Sequence, residues 1–149
     1  MISRTAEYAL RAMVHLAATD TPSQTVGQIA TGTRVPPGYL AKVLQSLSRA
    51  RLIASQRGLG GGFRLAKPAR ETSLYEIIDA VDPMQRIREC PLGLEAHGTN
   101  LCPLHRRLDD AMALIENQFR VTMLAELIDT DPDDLGFSRE QDLCVFPLR

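Results

Sequence analysis

The sequence predicts a mainly α-helical fold with one two-stranded hairpin and a long helix toward the C-terminus. Three observations lead there. Apolar residues recur at three- and four-residue steps through the first fifty positions. A glycine-rich run from Arg57 to Gly62 separates two short segments of alternating character. A narrow apolar stripe then runs from Leu104 toward Ile128. Charge is divided as sharply as pattern. Residues 1–70 carry ten Lys/Arg against two Asp/Glu, and the remainder seven against sixteen, so the net −1 conceals a strongly basic front. A basic part of this kind points to a polyanionic partner.

The first helix is expected over residues 4–18, where Ala6, Ala9, Leu10, Met13, Val14 and Ala17 make one apolar stripe. His15 lies among them and reads as a packed or capped histidine. Thr25 and Gln28 have capping-box spacing, which starts a short helix at Val26 that runs near Ala30. Gly32 and Thr33 are expected to turn the chain. Pro36 or Pro37 opens a third helix, where a missing N–H costs nothing. Its core stripe is Leu40, Val43, Leu44 and Leu47; its opposite face offers Tyr39, Lys42, Gln45 and Arg49.

Leu52 to Gln56 reads as a strand, Arg57 to Gly62 as a turn with residues free to take positive φ, and Phe63-Arg64-Leu65 as the return strand. Pro68 stops it. Ser73 and Glu76 form a second capping box ahead of Leu74, Ile77, Ile78 and Val81. Pro83 to Leu101 shows no periodicity, and a loop of this length is unusual unless something orders it. From Pro103 a helical pattern continues to about Ile128. Its stripe, Leu104, Leu108, Ala111, Ile115, Phe119 and Thr122 or Met123, is nearer a coiled-coil seam than a buried face. Such a helix would be roughly 36–39 Å long at about 1.5 Å per residue. A small domain cannot cover it, but a second copy can.

Together these elements describe a winged helix-turn-helix with a two-stranded wing and a long C-terminal dimerisation helix. The expected organisation is a DNA-binding domain over residues 1–82, a sensor loop over 83–102, the dimerisation helix over 103–128 and a tail over 129–149. A helix fits the major groove and presents its N-terminal residues to base edges. That assigns Gly38, Tyr39, Lys42 and Gln45 to the groove. A basic, glycine-tipped hairpin approaches phosphates or the minor groove closely, which assigns Arg57, Gly60 and Gly61. Arg4 and Thr25 are placed to bond flanking phosphates. One basic helix face alone is ordinary solvated surface; the joint pattern is not. The glycine run is no nucleotide loop, because Gly58-Leu59-Gly60 is followed by Phe63 where a third glycine is needed. The chain has no Trp and little aromatic content, which argues against a single-strand stacking platform. No apolar run approaches the roughly 20 residues of a membrane span, and Met1-Ile2-Ser3-Arg4 lacks a signal core, so a cytoplasmic protein without membrane contact is expected.

Ser3 to Ala12, Tyr39-Leu40, the wing Arg57 to Ala66 and Ile77 to Asp82 resemble the Rrf2 family of bacterial transcription regulators over about residues 1–128. The resemblance implies a homodimer joined through the long helix. It implies binding to a palindromic double-stranded operator, most often as a repressor, with Tyr39, Lys42 and Arg57 on the DNA. Some members of the family carry an iron–sulfur cluster and others do not.

The second informative pattern is Cys90, eleven residues, Cys102, two residues, His105. Soft thiolates with an imidazole suit an iron–sulfur centre or zinc. Cluster-bearing members of the family have three cysteines in this segment, and the middle position falls here at Ala96. That leaves three ligands where a cluster takes four. His97 is one candidate fourth ligand. Glu7 is another, since some relatives take a carboxylate from the partner's first helix. Mixed cysteine and histidine ligation favours [2Fe-2S] over [4Fe-4S]. The expected function is therefore a repressor that senses redox state, nitric oxide or iron–sulfur status. The alternative is the same regulator without metal, acting through thiol chemistry or a small-molecule or protein ligand. Cys144 stands alone in the tail and reads as incidental. An enzyme is not expected: Cys102 and His105 lack a third, orienting group and an oxyanion hole.

Overall fold

In a computed structural model, which describes residues 2–91 and 100–128, five α-helices and one hairpin surround a single apolar core. Helix α1 spans Arg4–Ala18, α2 Val26–Thr33 and α3 Pro37–Arg49. Strands β1 (Ile53–Gln56) and β2 (Gly62–Leu65) pair antiparallel, with Ile53 opposite Leu65 and Gln56 opposite Gly62. Helix α4 is Leu74–Asp79 and α5 is Pro103–Val121; 3-10 turns lie at Ala69–Glu71 and Leu124–Leu127.

The local signals act where the sequence places them. The Ser3 side chain caps α1 by accepting from the Ala6 N–H at 3.2 Å. Both capping boxes form: Gln28 N–H donates to the Thr25 hydroxyl while Thr25 N–H donates to Gln28 Oε1, and Ser73 and Glu76 repeat the exchange. Each such cap is worth about 1 kcal/mol. The stripes of α1, α2 and α3 meet in the core through Ala9, Met13, Ile29, Leu40, Leu44 and Leu47, all fully buried.

Each strand is displaced by one residue at its start, β1 beginning at Ile53 and β2 at Gly62, and two helix ends differ more substantially from the sequence reading. Helix α2 does not turn at Gly32 and Thr33; it runs through Thr33 and ends at Arg34, which takes the left-handed conformation at φ 55°. Gly32 is helical, and its missing side chain makes room for the His15 ring, which a Cβ would strike. The long helix stops at Val121 and does not reach Ile128. Thr122 is extended, its carbonyl accepts from Leu74 N–H at 3.0 Å, and Leu124 N–H donates to the Thr72 carbonyl at 2.8 Å. Leu124 is fully buried in the core of the head. Nineteen residues make α5 about 28 Å long, at about 1.5 Å per residue. Phe119, expected in the seam, packs instead against that core.

Candidate nucleic-acid interface and metal centre

Seven of the ten basic residues before position 71 are exposed and form no ion pair with any described residue: Arg4, Arg34, Lys42, Arg49, Arg51, Arg57 and Arg64. Charges left unneutralised on a folded head repel one another, and a polyanion relieves that repulsion. By contrast, Arg86 and Arg120 are tied to carboxylates on α5.

On α3, Gly38, Tyr39, Lys42 and Gln45 are all exposed, opposite the buried Leu40, Val43, Leu44 and Leu47. Tyr39 is fixed edge-on against Tyr8 of α1, with ring centroids 5.7 Å apart. That contact sets the first turn of α3 beside α1, whose first residue is Arg4. Thr25 is exposed and already spends its hydroxyl as the cap of α2.

The wing is anchored more firmly than a free hairpin. Gln24 and Phe63 exchange two backbone hydrogen bonds, at 2.9 and 2.7 Å, an isolated antiparallel bridge that ties the loop before α2 to β2. Ser23 donates its hydroxyl to the Gly60 carbonyl at 2.7 Å. Gly62 lies so close to Gln24 that a Cβ there would stand 2.5 Å from the Gln24 carbonyl oxygen. Gln24 is itself buried, with its Oε1 at 2.8 Å from His15 Nε2. His15 therefore links α1, α2 and the wing, as a packed and hydrogen-bonded side chain. At the tip, Gly58 and Gly60 take positive φ, and Gly61 N–H closes the turn on the Gly58 carbonyl at 2.9 Å. Arg57 and Leu59 project from this tip into solvent. The contacts of Ser23, Gln24 and Gly62 escaped the sequence reading because the partners lie some 37–39 positions apart along the chain.

Cys90, Cys102 and His105 converge, with their ligand atoms all within 4.8 Å of one another. Cys102 is the N-cap of α5 and His105 lies in its first turn. Cys102 Sγ stands 3.1 Å and Cys90 Sγ 3.7 Å from His105 Nδ1. The backbone N–H of His105 draws the Cys102 thiol down to about 7 against opposing burial, helped by the His105 ring, by Cys90 and by the Leu104 N–H. Two soft thiolates and an imidazole facing one point fit a metal centre, since ligands around one four-coordinate ion stand about 3.5–4 Å apart. Glu7, the alternative fourth ligand, pairs with Arg11 one turn along α1. Ala96, His97 and Cys144 lie outside the described residues. On α5, Leu104, Leu108, Leu114, Ile115 and Val121 are 46–70% exposed, so the apolar face is uncovered in the single chain.

A helix-turn-helix with an anchored wing, followed by a cysteine–histidine cluster at the start of a longer helix, defines the class as winged helix-turn-helix regulators. Residues 2–130 match the Rrf2 family, described as iron-dependent transcriptional regulators, and the chain belongs to that family. A helix-turn-helix transcriptional regulator of Mycobacterium tuberculosis is 39% identical over 95 residues, which cover 62% of this chain and 58% of that protein. The chain thus spans less than two thirds of the length of that relative. One from Aquifex aeolicus is 28% identical over 91% of this chain and 96% of its own length. Among solved structures, CymR, the global cysteine regulator of B. subtilis, superposes with a TM-score of 0.71 at 20% identity, covering 86% of this chain and 95% of that one. IscR of T. potens gives 0.69 at 22% identity, covering 86% and 85%. These two likenesses show the fold: a winged helix-turn-helix followed by a long C-terminal helix. Among the described residues, no helix is long and apolar enough to cross a membrane.

Proposed function

We propose that the protein is a homodimeric, DNA-binding transcriptional regulator, acting as a repressor, whose Cys90, Cys102 and His105 hold an iron–sulfur cluster of the [2Fe-2S] type. The observation that carries the DNA reading is the set of exposed, unpaired basic residues on a winged helix-turn-helix. Gly38, Tyr39, Lys42 and Gln45 of α3 enter the major groove; Arg57, Gly60 and Gly61 meet the phosphates or minor groove beside it; Arg4 and Thr25 hold the flanking backbone. The uncovered apolar face of α5 supports a second copy across it, and two heads so joined suit a palindrome with half-sites about one helical turn apart.

The convergence of two thiols and one imidazole supports the cluster, and the family's iron dependence agrees. A bound cluster supplies sensitivity to oxidants and nitric oxide. The chain's own part is to present Cys102 and His105 from the first turn of α5, so that any change in their arrangement acts on the helix that joins the two heads. The fourth ligand falls to His97 or to Glu7 of the second copy. A second reading, a thiol switch without metal, is favoured by the closeness of the two sulfurs and the depressed Cys102 thiol.

Two measurements test this reading. Lys42→Ala and Arg57→Ala should each weaken duplex binding, and a residue whose contact is to phosphate should also lower the log–log salt slope by about 1.8, two contacts per dimer. Unchanged affinity at low salt in both contradicts the assigned surface. Protein isolated without oxygen should be coloured and contain iron and sulfide, lost in Cys90→Ala and Cys102→Ala but kept in Cys144→Ala. Colourless protein after reconstitution selects the thiol reading.

A further inference from the structure

A carboxylate on α5 bonds the main chain three residues before Cys90. Asp109 follows His105 by four residues, one turn further along the same face. Its carboxylate accepts two hydrogen bonds from the Arg86 guanidinium, at 2.7 and 2.6 Å, and a third from the backbone N–H of Ile87 at 2.9 Å. Ile87 precedes Cys90 by three positions, in a segment that has neither helix nor strand. The Asp109 side chain is only 16% exposed. An exposed ion pair contributes little; this carboxylate is largely shielded, held by a planar two-pronged donor, and also fixes main chain.

The same face continues. Glu116 lies seven residues beyond Asp109, 3.7 Å from Arg86 and 2.7 Å from Arg120. The Arg120 guanidinium lies 3.5 Å from the centre of the Tyr75 ring in α4. Helix α4 packs on α1, inside the winged-helix head. A row of His105, Asp109, Glu116 and Arg120 thus leads from the cysteine–histidine site to the head.

We propose that Asp109 is the positioning residue of that site: by gripping Arg86 and Ile87 it sets Cys90 against Cys102 and His105. The inference rests on the reading of the triad as a metal site. Without the grip, the main chain leading into Cys90 loses its anchor on α5, and affinity falls by the cost of ordering that segment on binding.

The test uses the full chain, reduced and free of oxygen, titrated with Co2+ alone against a competing chelator. Thiolate-to-cobalt absorption reports whether both sulfurs bind. Asp109→Ala should weaken Co2+ binding roughly 10–100-fold, the range for groups that orient ligands. Asp109→Asn keeps an acceptor for Ile87 but loses the charge, and should fall between Asp109→Ala and the parent chain. Glu116→Gln, which leaves the Asp109 grip intact, should stay within about twofold of the parent chain by the same reasoning. In the metal-free protein, hydrogen exchange at the Ile87 amide should be protected and lose that protection in Asp109→Ala. Arg86→Ala repeats the comparison if Asp109→Ala fails to fold. Parent-like Co2+ affinity in the Asp109 and Arg86 variants overturns the positioning role alone. Equal weakening in Glu116→Gln and Asp109→Ala overturns it as well, because the effect would then belong to the helix at large. A parent chain that ignores Co2+ while its Ile87 amide is protected overturns the metal reading, and this role with it.

Discussion

Gly62→Ala probes how the wing is held. The Cβ it adds would stand 2.5, 2.6 and 2.9 Å from the carbonyl oxygen, carbonyl carbon and nitrogen of Gln24. All three atoms are backbone, so the strand or the loop must move. The movement breaks the two hydrogen bonds between Gln24 and Phe63. Each contributes about 0.5–1.5 kcal/mol net, so the loss is about 1–3 kcal/mol. The Gln24 amide would shift with its backbone and draw Oε1 away from His15 Nε2. Urea denaturation measures the stability, and amide exchange at Gln24 and Phe63 locates it. Gly60→Ala is the comparison, since its Cβ meets nothing within 4 Å and only its φ of +73° is strained. It should cost about 1–2 kcal/mol locally and leave the Gln24 and Phe63 amides protected. Gly62→Ala with unaltered protection at both amides and stability within about 0.5 kcal/mol of the parent would refute the reasoning, since that is the scatter of neutral surface changes.

Three further outcomes follow from the geometry. Leu124→Ala empties a fully buried position where the 3-10 turn after α5 meets Thr72, and should cost about 2–5 kcal/mol in chemical denaturation. Gly38→Ala meets no atom within 4 Å in the first turn of α3, so it should stabilise the fold by up to about 1 kcal/mol yet weaken duplex binding if the backbone there approaches DNA. The Cys102 thiol, held down at about 7, should be alkylated in the metal-free protein with a midpoint near that pH. A folded pKa below the ordinary thiol value makes the protein gain stability as pH rises above about 7 and lose it as pH falls back; peptide mapping after iodoacetamide follows the first effect and urea titration the second.

Local signals were legible in the sequence. The Thr25–Gln28 and Ser73–Glu76 boxes span three residues each, and both helices start where those pairs place them. Cys102 and His105 were readable together because a helix start sets their spacing. What was not legible depends on contacts across the chain. Gly32 looks like a turn residue until the His15 ring is seen over it. Leu124 falls within the helical pattern read to about Ile128, yet its partner Thr72 lies fifty-two positions away and holds it outside the helix. The Arg86–Asp109 grip joins residues 23 apart, one of them in a segment without periodicity. Periodicity reports which residues are apolar; it does not report which surface they cover.

The central claim is that two copies of a basic winged head grip one duplex. Binding of the full chain to a random-sequence duplex of about thirty base pairs, followed from low to moderate salt with the mass of the complex measured alongside, tests it most directly. The account predicts two protomers per duplex and an affinity that falls steeply and linearly in log–log form as salt rises. A monomer that leaves the duplex free at low salt, whether or not iron has been restored, would contradict it.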